Sequence, residues 1–482
     1  MVKGMFLICH FDGKQLAEFT NGLKSKKERL SVLVSSPSLD KAQILGAVPL
    51  DGQTGYDIFM GVLSLLEEFG ILDRIFGMSF DTTASNTGPD QGACARLENR
   101  MKKALLWLAC RRNVLELHIK HVASAVAEKI SGRLSTGPTN TLYKRLQASW
   151  PKLVPLIDMA DLDKFDWKGV AGTGLEDQAE KSLQILTQFL KDNTFAREDY
   201  RELCELCVLF LGGAVPNFKF QYPGAYHNAR YMAQSIYMLK FSLLLSKITW
   251  MLDVERREVK FMAEFIAIFY AVWWLQGYLG VNAPMNDLNA MHQMRMYKQY
   301  NNLVSETCTA SWKRHTWYLT EELVVICLAD ASCPFRNEVA AALLQQKVMD
   351  SFPPGKPKLP VIPESFWPED GCLPSLASFV GPRSHLIFSL LEFSSSDMDW
   401  LKFDSSDWEK FSGYLKFSEF VKNMAVVNDA GERGVKGIQE VVGKTSIESL
   451  RQDMLLTTAE DRKLHPNRGA GMESKAKLAK II

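Results

Sequence analysis

The chain has 482 residues, which exceeds a single ordinary core and sets an expectation of two or three domains. With 47% hydrophobic and 23% charged residues it reads as a globular protein, which excludes a disordered or collagen-like chain. A net charge of +1 excludes a global basic field, so any nucleic-acid face must come from local patches.

Residues 1–50 read as three strands. Gly4–Phe11 is apolar and stops at Asp12-Gly13-Lys14, a turn signal. Leu30–Ser36 and Lys41–Leu50 follow, parted by Ser-Pro-Ser, which predicts an antiparallel meander. Gly55–Phe69 has helical spacing, with Ile58, Val62, Leu65 and Leu66 on one face. Arg74–Phe80 then reads as a buried strand that delivers Asp81 to a sheet edge, followed by the polar run Thr82–Gly88. In open α/β sheets that edge is where ligands bind. Gln91–Lys103 reads as a helix, Ala104–Ala109 as a strand ending at Cys110-Arg111-Arg112-Asn113, and Asn113–Lys129 as a helix. The order βββαβαβα predicts a mixed α/β sheet flanked by helices.

From about residue 130 the strand pattern stops. Helices are expected at Asp177–Lys191, Glu198–Leu211, Ala225–Val254, Glu258–Tyr278, Met285–Thr309, Leu319–Ala329 and Glu338–Val348. Residues 353–374 carry seven prolines in 22 positions and read as a linker or extended strap. Helical pattern resumes at Ser375–Phe393 and Asp407–Val427. The tail Asp461–Ile482 has six Lys/Arg against two acids and reads as flexible. These features divide the chain into a first core part (1–129), an all-α insertion (130–405), returning helices (406–460) and the basic tail (461–482).

Phe261–Val281 is the one membrane candidate. Its uninterrupted apolar core, Phe265–Leu275, is 11 residues, well short of the roughly 20 a span needs, so a buried helix and no membrane partner are expected. No signal peptide is evident, and the nine cysteines read as buried free thiols of a reducing compartment. Cys204-x-x-Cys207 lies in an apolar helix-like run with no second pair at finger spacing, so two core thiols are expected there. Gly437…Gly443-Lys444-Thr445 has five residues between its glycines, not the four of a phosphate loop, and sits in a helix-like stretch. Lys102-Lys103, Arg111-Arg112 and Arg256-Arg257 read first as solvated charge pairs, with phosphate contact the second reading. Trp273-Trp274 reads as core rather than as a stacking platform. His10 shares a strand face with Asp12, as a satisfied strand histidine before a metal ligand.

Asp12 and Asp81 each end a predicted strand, 69 residues apart. Two carboxylates at neighbouring strand ends can share a divalent cation, since Mg²⁺ favours one or two carboxylates plus substrate phosphate oxygens. A third acid from a returning helix would complete a two-metal site for phosphoryl transfer. Glu432 is the choice, with Glu419, Asp429 and Glu440 close enough that spacing alone does not decide.

A βββαβα core with Asp12, Asp81 and a distant glutamate resembles the ribonuclease H-like catalytic domain of DDE transposases, and the details look like the hAT superfamily. That family follows its second aspartate with C-x-x-H and separates it from an E-R glutamate by a large helical insertion. Here Asp81 stands in FDTTASNTG, Cys110-Arg111-Arg112-Asn113 follows, and Glu432-Arg433 comes 351 residues after Asp81. The strings DGK, DTTASNTG and LLWLACR also resemble hAT-like reading frames of invertebrate genomes. The likeness runs from Met5 to about Pro466. It implies a nuclear DNA nuclease and strand transferase using Mg²⁺ or Mn²⁺. Asp12, Asp81 and Glu432 would hold the metals, Arg433, Arg111 and Arg112 would contact DNA, and a homo-oligomer would assemble on transposon ends. Water would cleave a strand, and the freed 3′ hydroxyl would attack another phosphodiester.

Three departures from the family pattern stand out. Asn113 replaces the motif histidine, with His118 and His121 nearby. Arg230-Tyr231 is the nearest match to an Arg-Trp pair of the family's insertion. The family's upstream zinc-finger domain has no counterpart, which suggests a truncated, decayed or host-adopted copy. The alternative reading is a non-catalytic nucleic-acid or protein interaction module on the same fold. A metal-dependent nuclease of another lineage is the third.

Overall fold

The computed structural model describes residues 6–20, 23–37, 39, 42–131, 141–223, 232–369 and 371–428. The chain divides into two compact units, one of residues 1–114, 278–287 and 316–482, the other of 115–277 and 288–315.

The first unit is a mixed α/β body on a five-stranded sheet. β1 (Leu7–Thr20), β2 (Leu23–Ser35) and β3 (Gln43–Pro49) form the expected antiparallel meander. Helix α1 (Gly55–Glu68) starts at a capping box, in which Thr54 Oγ1 accepts from the Asp57 N–H and the Asp57 carboxylate accepts from the Thr54 N–H. Its buried face is Ile58, Val62, Leu63, Leu65 and Leu66, the periodic set of the sequence with Leu63 added. After this crossover β4 (Ile75–Phe80) pairs parallel to β1. The short α2 (Ala84–Thr87) and α3 (Ala93–Met101) lead to β5 (Leu106–Ala109), parallel to β4. The sheet order is β3-β2-β1-β4-β5. Every residue of β4 and β5 is buried, which is why both read as continuous apolar runs rather than as alternations.

Two expectations about the strands need correction. Asp12-Gly13-Lys14 is not a turn: β1 runs on to Thr20, with Asp12 opposite Ser31 and Gly13 opposite Leu30. A backbone ladder against β2 satisfies the N–H and C=O groups of this stretch, and that outweighs its local turn preference. Asp12 therefore lies inside a strand. It still marks an edge, because the β1–β4 pairing stops at His10↔Ser79.

The second unit is helical, with no strand among its described residues. Its chain comprises most of α4 (Arg111–Val126), α5 (Thr141–Leu153), α6 (Gly174–Asp192), α7 (Glu198–Phe210), α8 (Ala233–Leu243), α9 (Asp253–Phe265), α10 (Ala271–Gln276), most of α11 (Ala283–Tyr297) and α12 (Asn302–Lys313). Between α9 and α10, Ile266–Tyr270 winds as a π-helix. This run is the buried core expected of Phe265–Leu275: no residue in it is more than 7% exposed. No described helix is long and apolar enough to cross a membrane. Cys204 and Cys207 are fully buried on α7, and burial pushes both thiols well above their ordinary range, as core thiols require.

Two long predicted helices are each broken in two. The expected Ala225–Val254 helix ends at Leu243, because Asp163 accepts from the Ser246 N–H and Arg256 gathers the carbonyls of Leu245, Ile248 and Met251. Those side chains satisfy the groups a broken helix leaves unpaired. The expected Met285–Thr309 helix is cut by Asn301, whose side chain caps α12 by accepting from the Val304 N–H at 3.1 Å.

The remaining elements return to the first unit: α13 (Glu321–Val324), α14 (Arg336–Gln345), α15 (Leu386–Leu390) and α16 (Ser412–Lys422). Residues 316–405, assigned to the insertion from sequence, thus fall with the sheet. Helix expected over Ser375–Phe393 is mostly 3₁₀ turns, Leu376–Phe379 and Pro382–His385, since Gly381 and Pro382 interrupt any longer helix. Among its described residues the proline-rich strap is irregular apart from the 3₁₀ turn Glu364–Phe366. Helix α16 packs on the sheet, its Phe420 ring 4.7 Å from Phe76 of β4.

Candidate functional site at the sheet edge

The site is built on the two central strands. His10 of β1 and Ser79 of β4 are register partners. Two residues further along the chain from each come Asp12, still inside β1, and Asp81, just past the end of β4, so both follow the last register pair of two adjacent strands. Period-two alternation puts Asp12 on the face of His10. Asp12 is 9% exposed, and the Ser31 hydroxyl donates to its backbone carbonyl at 3.3 Å.

Asp81 leaves β4 and caps the turn that follows. Its Oδ1 accepts from the Thr83 N–H at 3.1 Å, the Thr83 hydroxyl at 2.7 Å and the Asn86 amide at 2.7 Å. The polar cluster after the strand thus has a local purpose: it fixes the carboxylate's orientation through one oxygen. The second oxygen keeps its own acceptor sites.

Beneath the aspartates lies a residue that sequence reasoning missed. Asn428 is 4% exposed, and its Oδ1 accepts from Ser79 Oγ at 2.7 Å and meets His10 Nδ1 at 3.0 Å. An amide oxygen only accepts, so His10 carries its proton on Nδ1, and Nε2 accepts from Ser35 Oγ at 2.7 Å. Burial lowers the His10 pKa to about 4, which keeps the ring neutral. This is the satisfied strand histidine of the sequence reading. The Asn428 N–H donates to the Cys110 sulfur at 3.3 Å, the Arg111 N–H donates to Val426 O at 3.0 Å, and Ala425 bridges Leu279. The chain entering Asn428 is therefore fastened to β1, β4 and the end of β5. The only sequence signal for it was its place in the Asn428-Asp429 string before Glu432.

The motif after β5 differs from expectation in its charges. Arg111 is 3% exposed, with Nη1 2.6 Å from Asp287 Oδ1 and the guanidinium 5.0 Å above the Tyr318 ring. Arg112 is 4% exposed. The solvated-face reading of this pair is thus corrected, and neither guanidinium is presented to a duplex. Asn113 is half-buried in the first turn of α4, and Cys110 serves as the sulfur acceptor for Asn428. Among the alternative third acids, Glu419 sits exposed on α16, opposite its buried Phe417 and Val421. Glu432, Arg433, Asp429, Glu440, Arg230 and Tyr231 lie outside the described residues.

Among the described residues, no three His, Cys, Asp or Glu side chains converge as a cation cage. A pair of carboxylates suits a hard cation that takes its other ligands from phosphate and water, the habit of Mg²⁺. No family model matches this sequence, and no curated protein matches it.

Proposed function

We propose that the chain is a transposase-like DNA nuclease and strand transferase of the hAT type, with a ribonuclease H-like core and the helical unit as its insertion. The observation that supports this reading is that Asp12 and Asp81 each follow the last register pair of the adjacent strands β1 and β4, His10↔Ser79, by two residues. Asn428 supports it. Glu432 follows four residues later, a reach of at most about 14 Å even if fully extended. Asp12, Asp81 and Glu432 would hold Mg²⁺ or Mn²⁺, and Arg433 would contact a phosphate. When bound, such a cation supplies Lewis-acid stabilisation of a phosphodiester under attack. The protein's own part would be to fix the Asp81 carboxylate through Thr83 and Asn86 and the return chain through Asn428. DNA and a nuclear site belong to this proposal, with Arg230-Tyr231 as its candidate contact in the helical unit.

One observation favours the non-catalytic reading. Asp81 Oδ1 is already occupied by three donors, which is what a purely structural turn cap looks like. Metal-dependent nicking of supercoiled plasmid separates the two. The wild type is expected to nick with Mn²⁺. Asp12→Asn, Asp81→Asn and Glu432→Gln should each lose at least about 100-fold while remaining folded, and Glu440→Gln should keep activity. A wild type that leaves the plasmid intact with either metal makes the interaction module the better reading. Assembly on terminal-repeat DNA distinguishes a transposase from other metal nucleases.

A further inference from the structure

The helical unit holds a cavity of about 230 Å³ that takes no part in the sheet-edge site. Phe269 of the π-helical turn and Tyr297 of α11 line it at 2% exposure, and Tyr300 stands at its mouth at 36%. Phe269 and Tyr297 are 4.9 Å apart, and the Tyr297 and Tyr300 rings stack within 28°. Single-turn π segments inside α-helices are frequent at functional sites.

Two glutamine amides line the same cavity, and their polarity is fixed from both ends. The Trp273 indole can only donate, and it donates to Gln293 Oε1 at 2.9 Å. Gln293 Nε2 then donates to Gln178 Oε1 at 3.1 Å, and Gln178 Nε2 to Ser182 Oγ at 3.1 Å. Ser182 donates to the Ile268 carbonyl at 2.6 Å, which can only accept. Each amide keeps one N–H and one oxygen lone pair beyond this relay. The lining thus pairs donors and acceptors in a locked orientation beside aromatic faces. Lys181 and His292 also line the cavity, while Glu176 and Asp177 of the first turn of α6 do not. The volume lies below the roughly 300–1,000 Å³ of pockets for drug-sized ligands, which selects a single small ring.

We propose that this cavity binds a planar heteroaromatic ring with adjacent hydrogen-bond donor and acceptor, the chemistry of a nucleobase. The ring comes either from a free base or nucleoside or from an unpaired base of a single strand. This inference does not depend on the carboxylate pair.

Titration calorimetry of the full chain tests it, with uracil, 1,3-dimethyluracil, a short thymidine single strand and the matching duplex. Uracil is expected to bind, and dimethyluracil, whose N–H donors are blocked, to bind at least about tenfold more weakly. Gln293→Leu should abolish the preference. Because that change orphans the Trp273 N–H and can cost folding, Tyr300→Ala at the exposed mouth is the second variant. It should weaken binding about fivefold or more while leaving the melting temperature unchanged. Single-strand binding that uracil competes away assigns the ligand to a strand, and uracil binding without it assigns a free base. The proposal is overturned by equal affinity for uracil and dimethyluracil, by preference for duplex, by unaltered binding in Tyr300→Ala, or by no heat from uracil or single strand at about 10 mM.

Discussion

Arg111 shows how little a residue's type says about its setting. In sequence it is half of a basic pair. In the fold it is buried against Asp287, across 176 positions of chain. Burial, opposed by the Arg111 charge, raises the Asp287 carboxyl to about 6. Its folded pKa thus lies above its unfolded one, so the folded state binds the extra proton. Stability from this group is present at low pH and is lost as pH rises from about 4 to about 6. Replacing the guanidinium leaves an uncompensated buried carboxylate. Arg111→Met is therefore expected to cost roughly 3–5 kcal/mol at pH 7 and less below pH 6, where Asp287 is already neutral. Urea melts of both proteins at pH 5 and pH 7 check this, and a cost independent of pH would refute the pairing argument. Asp81 was legible because an acid after an apolar run, followed by Thr83 and Asn86, is a local pattern. Asn428 was not, since its partners His10 and Ser79 are 418 and 349 residues away.

At the scale of elements, local patterns located the strands and most helices, and tertiary groups decided where they stop. Helix α1 has its cap and its apolar face in sequence. The breaks near Leu244 and at Asn301 depend on Asp163, Arg256 and a side-chain cap. The proline-rich strap was visible from composition, but its anchor was not. Glu98 of α3 is wholly buried, and its carboxylate accepts from the Leu105 and Gly355 N–H groups, each at 2.7 Å. One acid therefore ties α3, the approach to β5 and the strap. Glu98→Ala should leave the buried Leu105 N–H without its partner, at roughly 1–3 kcal/mol, and release the half-buried Gly355 N–H at a smaller cost. It should also speed tryptic cleavage after Lys358, with Glu98→Gln in between. An unaltered cleavage rate in Glu98→Ala would show that the strap is held by other contacts, such as Lys356 on the Trp317 ring.

For the whole molecule, a cation held by the sheet-edge aspartates should act on stability by mass action. At 100 times its dissociation constant Mn²⁺ should add about 2.7 kcal/mol, a rise of a few degrees in melting temperature for a chain of this size. The rise should vanish in Asp12→Asn and Asp81→Asn. A rise that survives both substitutions would place the cation elsewhere. The division into units shows the same limit of local reading. Residues 316–405 carry helical and proline-rich patterns like the segment before them, yet they belong with the sheet. Sequence by itself determined the meander, the crossover helix, the buried parallel strands and the apolar run Phe265–Leu275, because each is written in residues a few positions apart. Tertiary structure alone decided that β1 continues past Asp12, that Arg111 is internal and that Asn428 lies beneath the aspartates. Those outcomes depend on ladder bonds, burial and hydrogen bonds between groups up to 418 positions apart, which no local periodicity encodes.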